Sequence, residues 1–293
     1  MRKWIRACLL AAAGIVGIAC ASVAPRRRSE ERQATWEYLR RFRYAHRGLY
    51  DLGLGIPENS LPAFERAAEL GFGSELDVHL TADGKLVVVH DSDLQRMTGT
   101  PKVVEGLTFA ELRELRLSGT DERIPLFSDV LGAHERLAPD SPLIVELKTY
   151  GDNPGVLCEE ALAELGRHTV RYCMESFDPR AVLWLRENRP DVFRGQLSQD
   201  FLADGRQSGK GTAFDIAATA LAANMLTRPD FIAYRFEDSA LPAPQLATRV
   251  LGGAYVGWTL HSIEELEACE GRGGIGIFEG FVPSPQVGVY SND

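Results

Sequence analysis

Short apolar runs alternate with amphipathic stretches along most of this chain. Residues 43–46, 73–79, 143–147, 171–175, 193–197, 231–234, 254–258 and 275–278 have the length and the apolar content of buried strands. Between them, 61–70, 110–116, 128–137, 155–168, 179–188, 243–250 and 262–270 carry helical spacing. Eight strands alternating with helices predict an α/β fold with a parallel sheet. The body from Tyr44 to about Pro285 has the size at which such a sheet closes into a (β/α)8 TIM barrel.

Two segments depart from this rhythm. Thr81-Ala82-Asp83-Gly84 separates two strand-like runs, and an Asp-Gly turn there predicts an antiparallel hairpin. Residues 86–90 are therefore a small insertion after strand two that leans His90 over the barrel mouth. Residues 213–226 (AFDIAATALAANML) are apolar almost all round, which predicts a buried barrel helix. The alternative is a surface helix dipping into a bilayer, but nothing basic lies on that segment.

The N-terminus adds a further element. Ala7 to Ala24 is an uncharged 18-residue stretch between basic clusters, long enough for one apolar membrane-spanning helix. Seven arginines follow it within residues 26–43, against Arg2, Lys3 and Arg6 before it. The positive-inside rule then places the body in the cytoplasm. The expected organisation is an anchor at 1–24, a charged juxtamembrane linker at 25–43, the barrel at 44–285 and a tail at 286–293. A cleaved signal, with Ser22 and Ala24 at the small positions, or a lipoprotein using Cys20, are the competing readings.

Charge narrows the partners. The chain carries −9 overall, and because residues 1–28 hold six basic groups and no acid, the remainder is more acidic still. Such a body repels polyphosphate, which excludes nucleic acid, and nothing in the sequence implies a protein partner. Cys158, Cys173 and Cys269 are widely spaced with no CxxC pair, as expected of small core residues rather than of a disulfide framework or a zinc site.

Candidate chemistry sits at the predicted strand ends, where barrel enzymes keep their sites. Glu75 and Asp77 are two apart on one strand and so share a face, and Glu146 and Lys148 repeat the arrangement on another. Three carboxylates converging in a barrel mouth repel one another unless a divalent cation offsets them. All-oxygen ligation favours Mg²⁺ or Ca²⁺ over zinc. An ion-pair network of these acids with Arg47 and Lys148 is the structural alternative. His46 and His90 are the candidate proton carriers. Two imidazoles beside a metal suit a displacement at phosphorus, with Arg47 and Lys148 on the non-bridging oxygens. His79, His134, His168 and His261 read as structural, His79 least securely because it shares the alternation of Glu75 and Asp77.

Several motifs then agree in order and spacing: AHRG (45–48), PENS (57–60), ELDVHLTADG (75–84), VVHD (88–91), TG (98–99), GTDERIP (119–125) and VELK (145–148). Together they resemble the glycerophosphodiester phosphodiesterases over roughly residues 44–150. The likeness continues more loosely through ESFDP (175–179), RPDV (189–192) and GWT (257–259). The resemblance implies a β/α barrel that uses a divalent metal to hydrolyse glycerophosphodiesters to sn-glycerol 3-phosphate and an alcohol. It implies His46 and His90 as the catalytic pair, Glu75, Asp77 and Glu146 as metal ligands, and Arg47 and Lys148 as phosphate contacts. Glu58 and Asn59 match a supporting loop, and Trp258 matches a late-strand aromatic that would wall the glycerol or headgroup. The sequence departs from the family's usual last-strand turn at Phe278–Pro283, where Glu279 is either an extra polar contact or a loop charge. With the N-terminal stretch, this looks like a membrane-anchored branch. The competing functions are lysophospholipase D-like cleavage of a lipid and a catalytically silent, membrane-tethered binding protein.

Overall fold

The computed structural model describes residues 23–26 and 29–284. The expected anchor, except Val23 and Ala24, and the expected tail lie outside the described residues. Among the described residues no helix is long and apolar enough to cross a membrane.

Strands β1 (Tyr44–His46), β2 (Gly73–Leu80), β3 (Leu86–Val88), β4 (Leu143–Leu147), β5 (Tyr172–Ser176), β6 (Arg194–Ser198), β7 (Phe231–Arg235), β8 (Ala254–Leu260) and β9 (Ile275–Phe278) form one sheet. Eight of them are parallel, and pairing of β1 with both β2 and β9 closes the barrel. β3 is the exception: it runs antiparallel to β2, with Val78 opposite Val88, as the Asp-Gly turn requires. The principal helices are α1 (Glu30–Leu39), α2 (Leu61–Glu69), α3 (Phe127–Leu137), α4 (Pro154–Leu165), α5 (Pro179–Asn188), α6 (Thr212–Thr219) and α7 (Ile263–Glu270).

Period-2 alternation divides each strand between two environments. Leu76, Val78, Val145, Leu147 and Met174 face outward and pack against Phe64, Phe127, Leu131 and Leu157 of the surrounding helices. Tyr44, Ile144, Cys173, Phe231, Val256 and Ile277 fill the lower barrel, where they meet Trp36, Leu39 and Phe42. Helix α1 falls within the segment whose charge suggests a linker, yet its Trp36 is only 3% exposed and its Leu39 is buried, plugging the N-terminal end of the barrel. Cys158, Cys173 and Cys269 are free and buried in these layers.

Two expectations need correction. The helix expected at 110–116 is one turn, Phe109–Leu112, started by a Thr108–Glu111 capping box. The chain from Val87 to Ile124 builds a satellite core of its own, with Leu94, Met97, Val104, Leu112 and Leu117. Residues 213–226 are not a buried barrel helix. They form α6 and a second turn, Asn224–Thr227, broken where Leu221 adopts a positive φ of 55°. Ile216 and Leu226 are 53% and 57% exposed. The segment reads as buried because one of its sides is apolar toward a cavity, not toward a barrel layer.

Candidate active site

Register assembles the charged groups. His46 stands beside Glu75 across β1–β2, Asp77 beside Glu146 across β2–β4, and Glu146 beside Glu175 across β4–β5. Glu75, Asp77 and Glu146 are buried, and their ligand oxygens lie within 4.8 Å of one another. The Lys148 ammonium donates to Glu146 Oε1 at 2.8 Å and stands 3.1 Å from Asp77 Oδ1.

The loop after β1 frames this cluster. Arg47 and Asn59 both adopt positive φ, 56° and 54°. Gly48 is required between them, because a Cβ there would lie 2.8 Å from the Ala63 carbonyl carbon. Arg47 donates its backbone N–H to Glu75 Oε2 at 3.2 Å and a guanidinium N–H to Glu58 at 2.7 Å. Asn59 donates to Asp77 Oδ2 at 2.8 Å and, through its backbone, to the Arg47 carbonyl. Glu58 also accepts from Arg96, so it braces both arginines.

The two candidate imidazoles are each held by a carboxylate. His90 Nδ1 donates to Asp91 Oδ1 at 2.7 Å, and Asp91 accepts from Arg96. His46 Nδ1 donates to Glu279, leaving Nε2 at 3.9 Å from Glu75 Oε2. Glu279 follows β9, so the departure from the familiar last-strand turn places a carboxylate on the ring. His79 is buried between Glu105 and the His90 carbonyl and supports the hairpin. His134 and His168 are engaged by Ser141 and Glu135 away from the mouth.

Electrostatics separate the carboxyls. Burial, reinforced by Asp77 and Glu146, pushes Glu75 well above its ordinary range. Asp77 is also buried, but Lys148, His90 and Arg47 outweigh that and hold it well below. Glu146 is raised, chiefly by burial and against Lys148. Burial lowers the His46 imidazole although Glu279 pulls it upward, while the same contact overrides burial and draws Glu279 down to about 2.

Glu175 was not singled out from the sequence. It is buried at the inward position next to Glu146, raised well above its usual range by burial and then by Glu146 and Asp77, and its Oε2 has no partner. The two-residue spacing from inward Cys173 is the signal that identifies it. The all-oxygen donor set of Glu75, Asp77 and Glu146 fits a divalent ion.

A cavity of about 930 Å³ opens beside the cluster, lined on one side by His90, Glu146 and Lys148. Trp258 is not among its lining residues; it packs edge-on against Phe177, which is, at 5.6 Å between ring centroids.

Comparison with known proteins points to one family. The sequence pattern of the glycerophosphoryl diester phosphodiesterase family matches residues 46–263. A glycerophosphodiester phosphodiesterase from Bacillus altitudinis is 45% identical over 172 residues, 54% of this chain and 67% of that protein. A lysophospholipase D from Rattus norvegicus is 36% identical over 104 residues, 31% of this chain and 32% of that one. The aligned stretch thus spans from about a third to about two thirds of these relatives' own length. The crystal structure of a glycerophosphodiester phosphodiesterase from Parabacteroides distasonis superposes with a TM-score of 0.62 at 26% identity, covering 81% of this chain and 91% of that one.

Proposed function

This chain belongs to the glycerophosphoryl diester phosphodiesterase family, and on that footing we propose that it hydrolyses glycerophosphodiesters to sn-glycerol 3-phosphate and an alcohol. One observation carries the reading: His46, Glu75, Asp77, Glu146 and Lys148, brought together by β1, β2 and β4, meet at one barrel mouth, and His90 lines the adjoining cavity with Glu146 and Lys148. Glu75, Asp77 and Glu146 are the residues that would hold the cation, Mg²⁺ or Ca²⁺. A bound divalent ion supplies charge stabilisation to a phosphoryl group.

The remaining work falls to side chains. Lys148 and Arg47 neutralise the non-bridging oxygens, and both arrive pre-oriented by Glu146 and Glu58. Of His46 and His90, one takes the proton of the attacking oxygen and the other delivers a proton to the departing alkoxide. Each ring is fixed with Nδ1 on a carboxylate, so Nε2 is the nitrogen available for transfer. Glu279→Gln should therefore lower kcat by roughly tenfold or more with KM little changed, a loss read in steady-state kinetics.

The direct test is release of sn-glycerol 3-phosphate from glycerophosphocholine, with and without chelator. Release that stops in chelator and returns with Mg²⁺ or Ca²⁺ is the expected result. Release that is indifferent to chelator removes the cation from the reading, and tight binding without turnover would favour a silent binding protein. Lysophospholipid is a second substrate reading, supported by the apolar side of the cavity.

For the N-terminal stretch we propose a retained anchor with the barrel in the cytoplasm. The described chain enters at Val23–Arg26, where Arg26 donates to the Pro229 carbonyl just before β7, at the barrel end opposite the mouth. Recovery of tagged protein in the soluble fraction would reject the anchor.

A further inference from the structure

The two ends of the barrel treat their arginines differently. At the mouth they are answered by acids: Arg180 stands 2.7 Å from Asp178, Arg206 2.7 Å from Asp238 and Arg235 3.0 Å from Glu237. At the opposite end, where the parallel strands begin, Arg41, Arg171, Arg228, Arg249 and Arg272 stand within five residues ahead of β1, β5, β7, β8 and β9. Among the described residues none of these five is held by a carboxylate. Arg41 and Arg171 gather over the one Tyr38 ring, at 4.4 and 4.5 Å, and Arg228 donates to the Ala24 carbonyl at 3.3 Å. Arg249 and Arg272 are exposed and border the same cleft. The neighbouring acids Glu37, Asp191 and Glu270 are taken by three further arginines, Arg40, Arg189 and Arg43. Asp230, the acid deepest in this end, is buried and shared by Arg32 at 2.5 Å and Arg194 at 3.9 Å. A chain of net charge −9 therefore presents one positively charged end.

Apolar side chains stand among these arginines. Val250, next to Arg249, is 71% exposed, and Leu226, just before Arg228, is exposed as well. The described chain also enters here: Arg26 donates its N–H to the Pro229 carbonyl, and a Cβ on Gly253 would lie 3.0 Å from Pro25 Cγ. The uncharged stretch Ala7 to Ala24 leads directly into this contact. Cations interleaved with exposed aliphatic side chains match an anionic bilayer surface, where guanidinium groups meet headgroup phosphates and aliphatic tips reach the acyl boundary. A nucleic acid offers the charge but nothing to Val250 or Leu226. The acids of the mouth do not cancel the attraction. Five-residue strands, roughly 16 Å long, separate the two ends, and exposed charges are screened beyond about 8 Å at physiological ionic strength.

From this arrangement we propose that the strand-start end of the barrel is a docking surface for anionic phospholipid headgroups. Arg41, Arg171, Arg228, Arg249 and Arg272 are its contacts, and Val250 and Leu226 its shallow apolar insertions. The surface goes beyond the phosphodiesterase reading and needs neither it nor the anchor: a membrane-spanning segment is indifferent to headgroup charge, whereas this end answers to it. An arginine brought to such a bilayer is worth about fivefold in binding. Five of them hold the end against an anionic bilayer at physiological salt and release it when salt is high.

Hydrogen exchange on the full-length protein tests it, with nanodiscs of phosphatidylcholine alone and of phosphatidylcholine mixed with phosphatidylglycerol. At low salt the amides of residues 248–253 and 270–274 should exchange roughly tenfold more slowly on the anionic discs than on the neutral ones. The difference should vanish at about 1 M salt, where the screening length is about 3 Å. In Arg249→Glu/Arg272→Glu the slowing should be lost while Tm and turnover of glycerophosphocholine stay as in the wild type. In Arg180→Glu/Arg235→Glu, which changes the charge equally at the mouth, it should persist. Equal exchange on both kinds of disc overturns the proposal and leaves the anchor standing. Slowing confined to the mouth loops 51–56 and 200–205 also overturns it, as does slowing of the strand-start loops by single-stranded RNA but not by anionic discs. Protein that stays soluble without discs yet shows the anionic slowing keeps this surface and removes the anchor instead.

Discussion

His46→Ala and His90→Ala should each lower turnover of glycerophosphocholine by roughly 10²–10⁴-fold, the range for loss of a positioned proton carrier. The expectation rests on how each ring is held. Both are tied at Nδ1 to a carboxylate, Glu279 for His46 and Asp91 for His90. They come from different elements, β1 and the hairpin, and both border the carboxylate cluster. Removing either leaves the phosphate-facing Lys148 and Arg47 in place, so kcat should fall much more than KM rises. The double variant should be little worse than either single, since one missing proton transfer already stalls the displacement. His134→Ala provides the contrast: it is buried on Ser141 far from the mouth and should cost stability rather than turnover. Steady-state kinetics at saturating cation decide the matter, and wild-type rates in both single variants would mean the proton carriers lie elsewhere.

How much of this was legible in the sequence follows from what each residue answers to. Strands with two-sided burial were readable because Leu76 and Leu147 alternate with the acids, and local period alone fixes which side chains share a face. The Asp-Gly turn likewise determined β3 from neighbours in sequence. What escaped depends on partners far along the chain. Residues 25–43 read as a charged, partly helical linker, but that α1 packs on the barrel shows only once Phe193 and Phe231 are beneath Trp36 and Leu39. Residues 213–226 look buried by composition, but whether an apolar side faces a core or a cavity is set by where the β6–β7 connection lands. Glu279 reads equally as an extra polar contact or a loop charge because its partner, His46, is 233 residues away. Glu175 was hidden for the opposite reason: an isolated acid on a strand usually means nothing until Glu146 stands next to it.

Glu75→Gln should abolish cation binding and turnover while leaving the cation-free fold as stable as the wild type, or more so. The argument is electrostatic. Like charges about 4 Å apart repel by about 4 kcal/mol at an effective dielectric near 20, and the ligand oxygens of Asp77 and Glu146 lie within 4.8 Å of that of Glu75, where the repulsion is only a little weaker. Burial and those neighbours already push its carboxyl well upward, so a charged Glu75 is opposed by its surroundings when no cation is present. An amide of the same shape removes the opposition. It also removes one anionic ligand, and with it the free energy that cation binding lends to folding. At a cation concentration a hundredfold above Kd, that linkage is about 2.7 kcal/mol for the wild type. In a chain of this size it should raise Tm by roughly 5 °C or more. Thermal melts with chelator, with Mg²⁺ and with Ca²⁺ read both halves of the expectation. Wild type should respond to one or both cations, whereas the variant should melt at one temperature throughout. A variant that keeps the wild-type rise would remove Glu75 from the ligand set, and one that melts far below wild type in chelator would show that Glu75 serves the fold rather than the cation.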